Sequence, residues 1–268
     1  MRLTSDGQRM TRRDRRRLET YDEIVTVARD LLKRGDEASV RAIATEMGMT
    51  PSALYRYVES VADLHALIAR SVYEDVIQTM SEAASPHEGD PSAQLAASAT
   101  AFREWGLRNV AEFKLIFAGL LSGQSDMGGP SQEQSSIAQD GSDQFAAYFA
   151  GIFMALVASG LIRVPDLSNV DDSMHEFVAS RKRSTDQEMI TSLGTDGPAV
   201  MWLFQLAWAR LYGVVILEVF GLVERSMIES GALFMVLMRE TFESLGLPDD
   251  WNRLRDVSRA VADRREQS

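Results

Sequence analysis

The sequence predicts an all-α protein in two parts, a small N-terminal helix-turn-helix followed by a larger helical domain. Three observations carry that prediction. Apolar residues recur at spacings of three and four through most of the 268 residues, as the faces of amphipathic helices do. Hydroxyl or carboxylate residues that can cap a helix precede several of these stripes. The net charge of −11 is unevenly spread, with 13 Lys/Arg against 11 Asp/Glu in residues 1–70 and a strong acidic excess beyond them, so the two parts are built for different surroundings.

Residues 1–17 hold seven arginines (Arg2, Arg9, Arg12, Arg13, Arg15, Arg16 and Arg17) against Asp6 and Asp14. They read as a basic, flexible arm. From Leu18 to Leu32, the apolar residues Leu18, Tyr21, Ile24, Val25, Ala28, Leu31 and Leu32 make one helical stripe, which Gly35 ends. Ser39 suits the N-cap of a short second helix with Ile43, Ala44 and Met47 facing inward, and Gly48 supplies a tight turn. Thr50 as cap and Pro51 at the first helical position open a third helix, whose inner face is Leu54, Tyr57 and Val58. Ser60-Val61-Ala62-Asp63 has capping-box spacing before Leu64, Leu67 and Ile68. The turn at Gly48 is too short for an antiparallel return, so the second and third helices cross and the third projects. A projecting helix fits a DNA major groove, with the small residues Thr50, Ser52 and Ala53 near the bases and the Tyr55 hydroxyl near phosphate. A plain three-helix core in which the tyrosines only pack fits the same pattern.

The fourth helix should run to about Ala83, before the loop from Ser85 to Pro91. Ser92–Arg108 and Glu112–Leu121 read as helices, and Ser122–Gly141, polar and glycine-rich, as a linker or a mobile lid. Helical spacing resumes over Gln144–Ser159, stops at Gly160, and returns weakly over Val170–Val178; Ser180–Gly197 has no clear pattern. Gly197-Pro198 opens the most apolar helix, reaching Phe220, which must be covered on several sides. Ser226–Leu245 reads as one further apolar helix, closed by Gly246 and Pro248. Two such helices suit a four-helix bundle shared between two subunits. The long apolar runs are broken by Arg210 and Glu218 or are short, so no membrane helix is expected. The arginine-rich start is unlike a secretory signal and there is no cysteine, which together point to the cytoplasm.

Catalytic chemistry finds no support. The three histidines, His65, His87 and His175, are far apart, so no metal site is expected, and no phosphate loop, nucleophile elbow or cofactor motif occurs. Trp105, Phe117, Met154, Trp202 and Trp208 are the side chains from which an apolar ligand pocket could be built, and each fits core or subunit interface as well. The acidic C-terminal part suits either a cationic ligand or a solvated surface.

The stretch Val40-Arg-Ala-Ile-Ala-Thr-Glu-Met-Gly-Met-Thr-Pro-Ser-Ala-Leu-Tyr-Arg-Tyr-Val58, continuing to Asp63-Leu64, resembles the DNA-binding domain of the TetR family of transcriptional regulators. The resemblance covers roughly residues 18–70. It implies a homodimeric, ligand-responsive repressor, with a DNA-binding domain at 18–65 after the arm, and a helical ligand-binding and dimerisation domain at 66–268. Its partners would be double-stranded operator DNA, a small and largely apolar effector and a second copy, with no cofactor and no membrane. Position by position, Ser39 resembles the family's phosphate-binding hydroxyl and Arg41 a base-reading arginine able to grip guanine with two bonds. Thr50, Pro51, Ser52 and Ala53 fall where the family reads bases, and Tyr55 and Tyr57 where it contacts phosphates. One position departs: Val61 stands where many members have a phosphate-binding lysine. Arg12, Arg13 and Arg16 of the arm could compensate, along the backbone or in the minor groove. Ala207–Val214 and Leu217–Gly221 further resemble the subgroup named for Trp-His-Gly, with Tyr212 in place of the histidine. The alternative is a dimeric interaction module that has lost DNA binding, for which Val61 is the support.

Overall fold

A computed structural model describes residues 11–118, 132–162, 164, 176, 187, 190–247 and 250–266. In chain order its α-helices are α1 (Arg12–Lys33), α2 (Val40–Glu46), α3 (Pro51–Leu54), α4 (Val61–Ala84), α5 (Pro91–Arg108), α6 (Val110–Phe113), α7 (Gln132–Ala158), α8 (Gly197–Val219), α9 (Arg225–Ser230), α10 (Ala232–Ser244) and α11 (Trp251–Glu266). No strand occurs among the described residues. The chain divides into two compact units, one comprising the described residues up to Val72 and those from Ala111 to Gly141, the other the described residues of Tyr73–Val110 and from Ser142 onward.

In the first unit, α1 begins six residues before the apolar stripe. The reason is a capping box: the Asp14 N–H donates to Thr11 Oγ1 (3.2 Å) and the Thr11 N–H to Asp14 Oδ2 (3.1 Å), so both ends of the first turn are satisfied. Arg12, Arg13, Arg15, Arg16 and Arg17 therefore stand on a helix rather than on a flexible arm. Inward, Ile24, Ala28, Ile43, Leu54, Val58, Leu64 and Ile68 are buried; each of the larger ones contributes roughly 1.5–3 kcal/mol by leaving water. Gly48 turns the chain at φ 64°, which lets the Met49 N–H donate to the Ala44 carbonyl at 2.8 Å and closes α2 in a left-handed cap. At the start of α4, Ser60 Oγ accepts from the Asp63 N–H at 3.0 Å, and the Asp63 carboxylate accepts from the Glu59 N–H at 2.9 Å. Glu112 on α6 is 1% exposed in its side chain and takes two bonds from Arg29 of α1, from Nε at 2.6 Å and Nη2 at 3.2 Å.

The second unit is built on α5, whose alanines Ala93, Ala96, Ala97, Ala99 and Ala101 are buried and let neighbouring helices approach closely. α11 and α8 pack on it, and α10 on α8. Asp90 caps α5 through the Ala93 N–H and also receives Arg253 of α11, which holds Ser92 and Asp250 as well. Burial works to raise the Asp90 carboxyl, but bonds from the Ala93 N–H, Ser92 and Arg253 hold it below the usual carboxylate value. Deeper, Arg103 is fully engaged: Nε donates to Glu218 (2.5 Å), Nη1 to Glu104 (2.6 Å) and Nη2 to the Ile228 carbonyl (2.6 Å).

Several expectations are corrected in this unit. The single helix expected over Ser226–Leu245 is broken by Gly231 at φ 63° into α9 and α10; a Cβ there would stand 3.5 Å from the Arg103 guanidinium. Residues 132–141, expected in a linker or lid, belong to α7. α11 was not anticipated from the pattern. The remainder of the expected linker, 122–131, lies outside the described residues, as do the weak helix at 170–178 apart from Glu176 and the stretch 180–189 apart from Gln187. By length and hydropathy Asp140–Ala158 and Gly194–Val219 reach the range of a membrane span despite Arg210 and Glu218. Phe145, Phe149, Phe153, Met201, Phe204 and Leu211 of these helices are buried in this unit, and core helices meet the same test.

Candidate nucleic-acid interface and ligand cavity

The first unit gathers the expected DNA-facing residues on α2, α3 and the turns around them. Ser39 caps α2, its Oγ accepting from the Ala42 N–H at 3.2 Å, which leaves its hydroxyl proton available. Arg41 follows on the exposed side of α2 and makes no side-chain bond among the described residues. Thr50 caps α3, accepting from the Ala53 N–H at 3.2 Å, and shares a 3.0 Å hydrogen bond with the Ser52 hydroxyl. Pro51 and Ser52 are exposed, Ala53 is half-buried, and Leu54 is wholly buried. That alternation anchors α3 by Leu54 and leaves its first turn outward.

Tyr55 is 47% exposed, while Tyr57 is half-buried and stands edge-on against Tyr21, with ring centroids 5.7 Å apart and planes at 88°. Val61, at the start of α4, is 50% exposed and offers nothing to a phosphate. Arg12, Arg13, Arg16 and Arg17 on α1 line one groove together with Arg56 and Tyr57. Reading the sequence missed Arg17 and Arg56 here; the signal was present, since Arg13, Arg16 and Arg17 fall at helical spacing once the cap at Thr11 is recognised.

The expected ligand-binding residues are not brought together. Trp208 lines a small apolar cavity in the second unit, with Leu95 and Ala99 from α5, Phe149 and Phe153 from α7, Phe204 and Leu211 from α8, and Met238 and Thr241 from α10. Trp105 is buried elsewhere, its Nε1–H donating to Asp75 at 3.2 Å. Phe117 belongs to the first unit, packed on Phe113 with centroids 4.5 Å apart. Met154 and Trp202 are half-buried on α7 and α8 and do not line the cavity. Trp208 meets Phe145 and Phe149 edge-on at 5.6 and 5.5 Å and stacks on Tyr212 at 5.4 Å. Burial pushes the Tyr212 phenol up, so it stays neutral.

The cavity measures about 30 Å³, room for roughly two water-sized probes. No carboxylate or cation lines it, and its one hydroxyl, Thr241, donates back to the Leu237 carbonyl at 2.7 Å. A charged guest would lie there without a counter-charge, at a cost of several kcal/mol. Among the described residues, no group of His, Asp or Glu is arranged to hold a metal ion.

Comparison with known proteins extends these observations. Residues 95–241 match the family model of the tetracyclin repressor-like C-terminal domain. Over 197 residues the chain is 32% identical to the HTH-type transcriptional regulator Rv1816 of Mycobacterium tuberculosis, covering 72% of this chain and 77% of that protein. The regulator Mb1846 of Mycobacterium bovis matches with the same identity and coverage. Among solved structures, the regulatory protein SCO4313 shares the fold, with a TM-score of 0.61 at 22% identity over 87% of this chain and all of that one.

Proposed function

The chain belongs to the TetR family of DNA-binding transcriptional regulators, which are not enzymes, and on that premise we propose that it is a cytoplasmic repressor released from a pseudo-palindromic operator by a small, largely apolar effector. The observation that carries the DNA half of this reading is the outward set on α2 and α3: Arg41, Pro51, Ser52 and Tyr55 are exposed while Leu54 between them is buried. In this reading Arg41 and the Thr50–Ala53 turn read bases, Ser39, Tyr55 and Tyr57 bind phosphates, and Arg12, Arg13 and Arg16 add charge beside them. Two heads in one homodimer would meet successive major grooves about 34–36 Å apart, or a multiple of that. Dimerisation through α8 and α10 is supported by the apolar side chains they leave uncovered, Leu217 at 38% and Val236 at 53% exposure.

The effector half rests on the cavity lining. Its apolar walls suit a neutral guest, and they give a cationic one no partner. A cavity this small admits an effector only when side chains move, and Met238, with three rotatable bonds, is the adaptable part of its wall. An effector that binds the opened state better shifts the population toward it. Coupling of about 1–3 kcal/mol is typical for such a switch.

Selection of bound sequences from random duplex DNA tests the reading. A repressor of this design enriches a pseudo-palindrome with half-sites one helical turn or a multiple apart. No enrichment by the folded dimer contradicts it and favours the interaction-module alternative.

A further inference from the structure

The arginine groove of the first unit is not explained by the base-reading set. Four of its guanidinium groups stand on the first two turns of α1, those of Arg12, Arg13, Arg16 and Arg17; the fifth, Arg56, and the ring of Tyr57 face them from the turn after α3. Among the described residues no carboxylate lines the groove. Asp14, on the same turn of α1, is tied to Thr11, whose hydroxyl and backbone N–H bonds hold its carboxyl below the usual value. Arg12, Arg13, Arg16 and Arg56 make no ion pair or side-chain hydrogen bond among the described residues, and Arg17 donates to the Tyr21 hydroxyl at 3.1 Å. Five like charges converging on one groove repel one another; Asp14, beside Arg13 and Arg17, offsets only part of that charge, and an anion in the groove relieves the rest. The groove is open and about 510 Å³ in volume, more than a lone phosphate fills.

We propose that Arg12, Arg13, Arg16, Arg17 and Arg56, with Tyr57, form a phosphodiester-binding groove that grips the DNA backbone beside α3, independently of base sequence. The inference rests on the DNA-binding reading and deepens it. It decides between two routes for these arginines. A helix is about 10–12 Å across, side chains included, and the minor groove about 6 Å wide, so α1 itself stays outside the minor groove and its arginines meet the flanking backbone first. Arg56 supplies, from the end of the helix-turn-helix itself, the positive charge that Val61 does not.

The test is fluorescence anisotropy of the full-length protein on two labelled duplex pools, one A·T-rich and one G·C-rich, over a salt series. Arg56→Ala should weaken binding roughly tenfold, as loss of a charge-assisted bond does, and reduce the slope of log affinity against log salt by about one. The loss should be equal in both pools. Arg13→Ala should behave alike, Arg56→Lys should keep the slope, and Lys33→Ala, at the other end of α1, should change nothing. An unchanged slope for Arg56→Ala, with wild type binding normally, overturns the groove and leaves the regulator reading standing. A loss confined to the A·T-rich pool also overturns it, in favour of minor-groove insertion. Wild type that binds neither pool with salt dependence overturns the DNA-binding reading itself.

Discussion

The two units place their functional side chains in opposite ways. In the first, Arg41, Ser52 and Tyr55 point outward with few partners, and the helices beneath them are held by residues with no part in binding, such as Ile43 and Leu54. In the second, the side chains that enclose the cavity are also its core: Phe153, Phe204 and Met238 are buried and hold helices together. A polyanion can be met by a rigid exposed surface, because charge acts through water at several ångströms. An apolar guest must be enclosed, so its site competes with the packing that stabilises the fold. Changes in the first unit should therefore alter binding without stability, and changes in the second should alter both.

The largest effect should come from Arg103→Met. It leaves the Glu218 carboxylate, fully buried, without its partner, and breaking such a pair costs about 3–5 kcal/mol. Urea unfolding measures this, and a change under about 1 kcal/mol would show that the second unit does not depend on its buried charges.

Ala99→Leu comes next. It fills part of the cavity from α5 and should cost about 1–3 kcal/mol by overpacking. The same change should abolish the thermal shift produced by a neutral aromatic probe such as indole, while DNA affinity stays within about twofold. Tryptamine, the same ring with an ammonium group, should give no shift in wild type. If the cation stabilised the protein as well as the neutral ring does, the cavity would not be the site.

A smaller effect is expected from pH. The Asp90 and Asp250 carboxyls both lie below the ordinary aspartate value, the first through Ala93, Ser92 and Arg253 against the pull of burial, the second chiefly through Arg253. Depressed carboxyls stabilise the fold above their unfolded value, near 3.8, and that contribution is lost as pH falls through the lower folded value. Arg253→Ala should flatten the loss of thermal stability below about pH 4; an acid limb identical to wild type would show that the clamp between α5 and α11 is not what titrates. The smallest change is Tyr55→Phe, which should lower affinity a few-fold for every DNA sequence and leave unfolding within about 0.5 kcal/mol of wild type.

The same contrast explains what could be read from the sequence. The helix-turn-helix was legible because its determinants are local: Ser39 bonds Ala42, Thr50 bonds Ala53, and Gly48 turns the chain between them. The cavity was not, because Leu95, Phe149, Trp208 and Met238 come from four helices, and periodicity shows only that each faces inward, not which inward faces meet. For that reason Trp105, Phe117, Met154 and Trp202 were as eligible as Trp208. The start of α1 lies ahead of its apolar stripe because its first turns are all exposed and carry no apolar face, although Thr11 and Asp14 mark it. α11 had a usable signal, Leu254, Ser258 and Val261 buried at helical spacing, hidden among charged residues. The break at Gly231 was masked because apolar residues continue in helical spacing on both sides of it.

On the DNA-binding reading the exposed face of the first unit reads bases through Arg41. This is tested most directly by measuring the affinity of wild type and Arg41→Ala for the selected operator and for its single-base variants. The variant protein should lose discrimination at one symmetric base pair of each half-site, by about 1–3 kcal/mol, and keep it elsewhere. Equal weakening on every duplex, with discrimination intact at all positions, would contradict it and make Arg41 a phosphate contact.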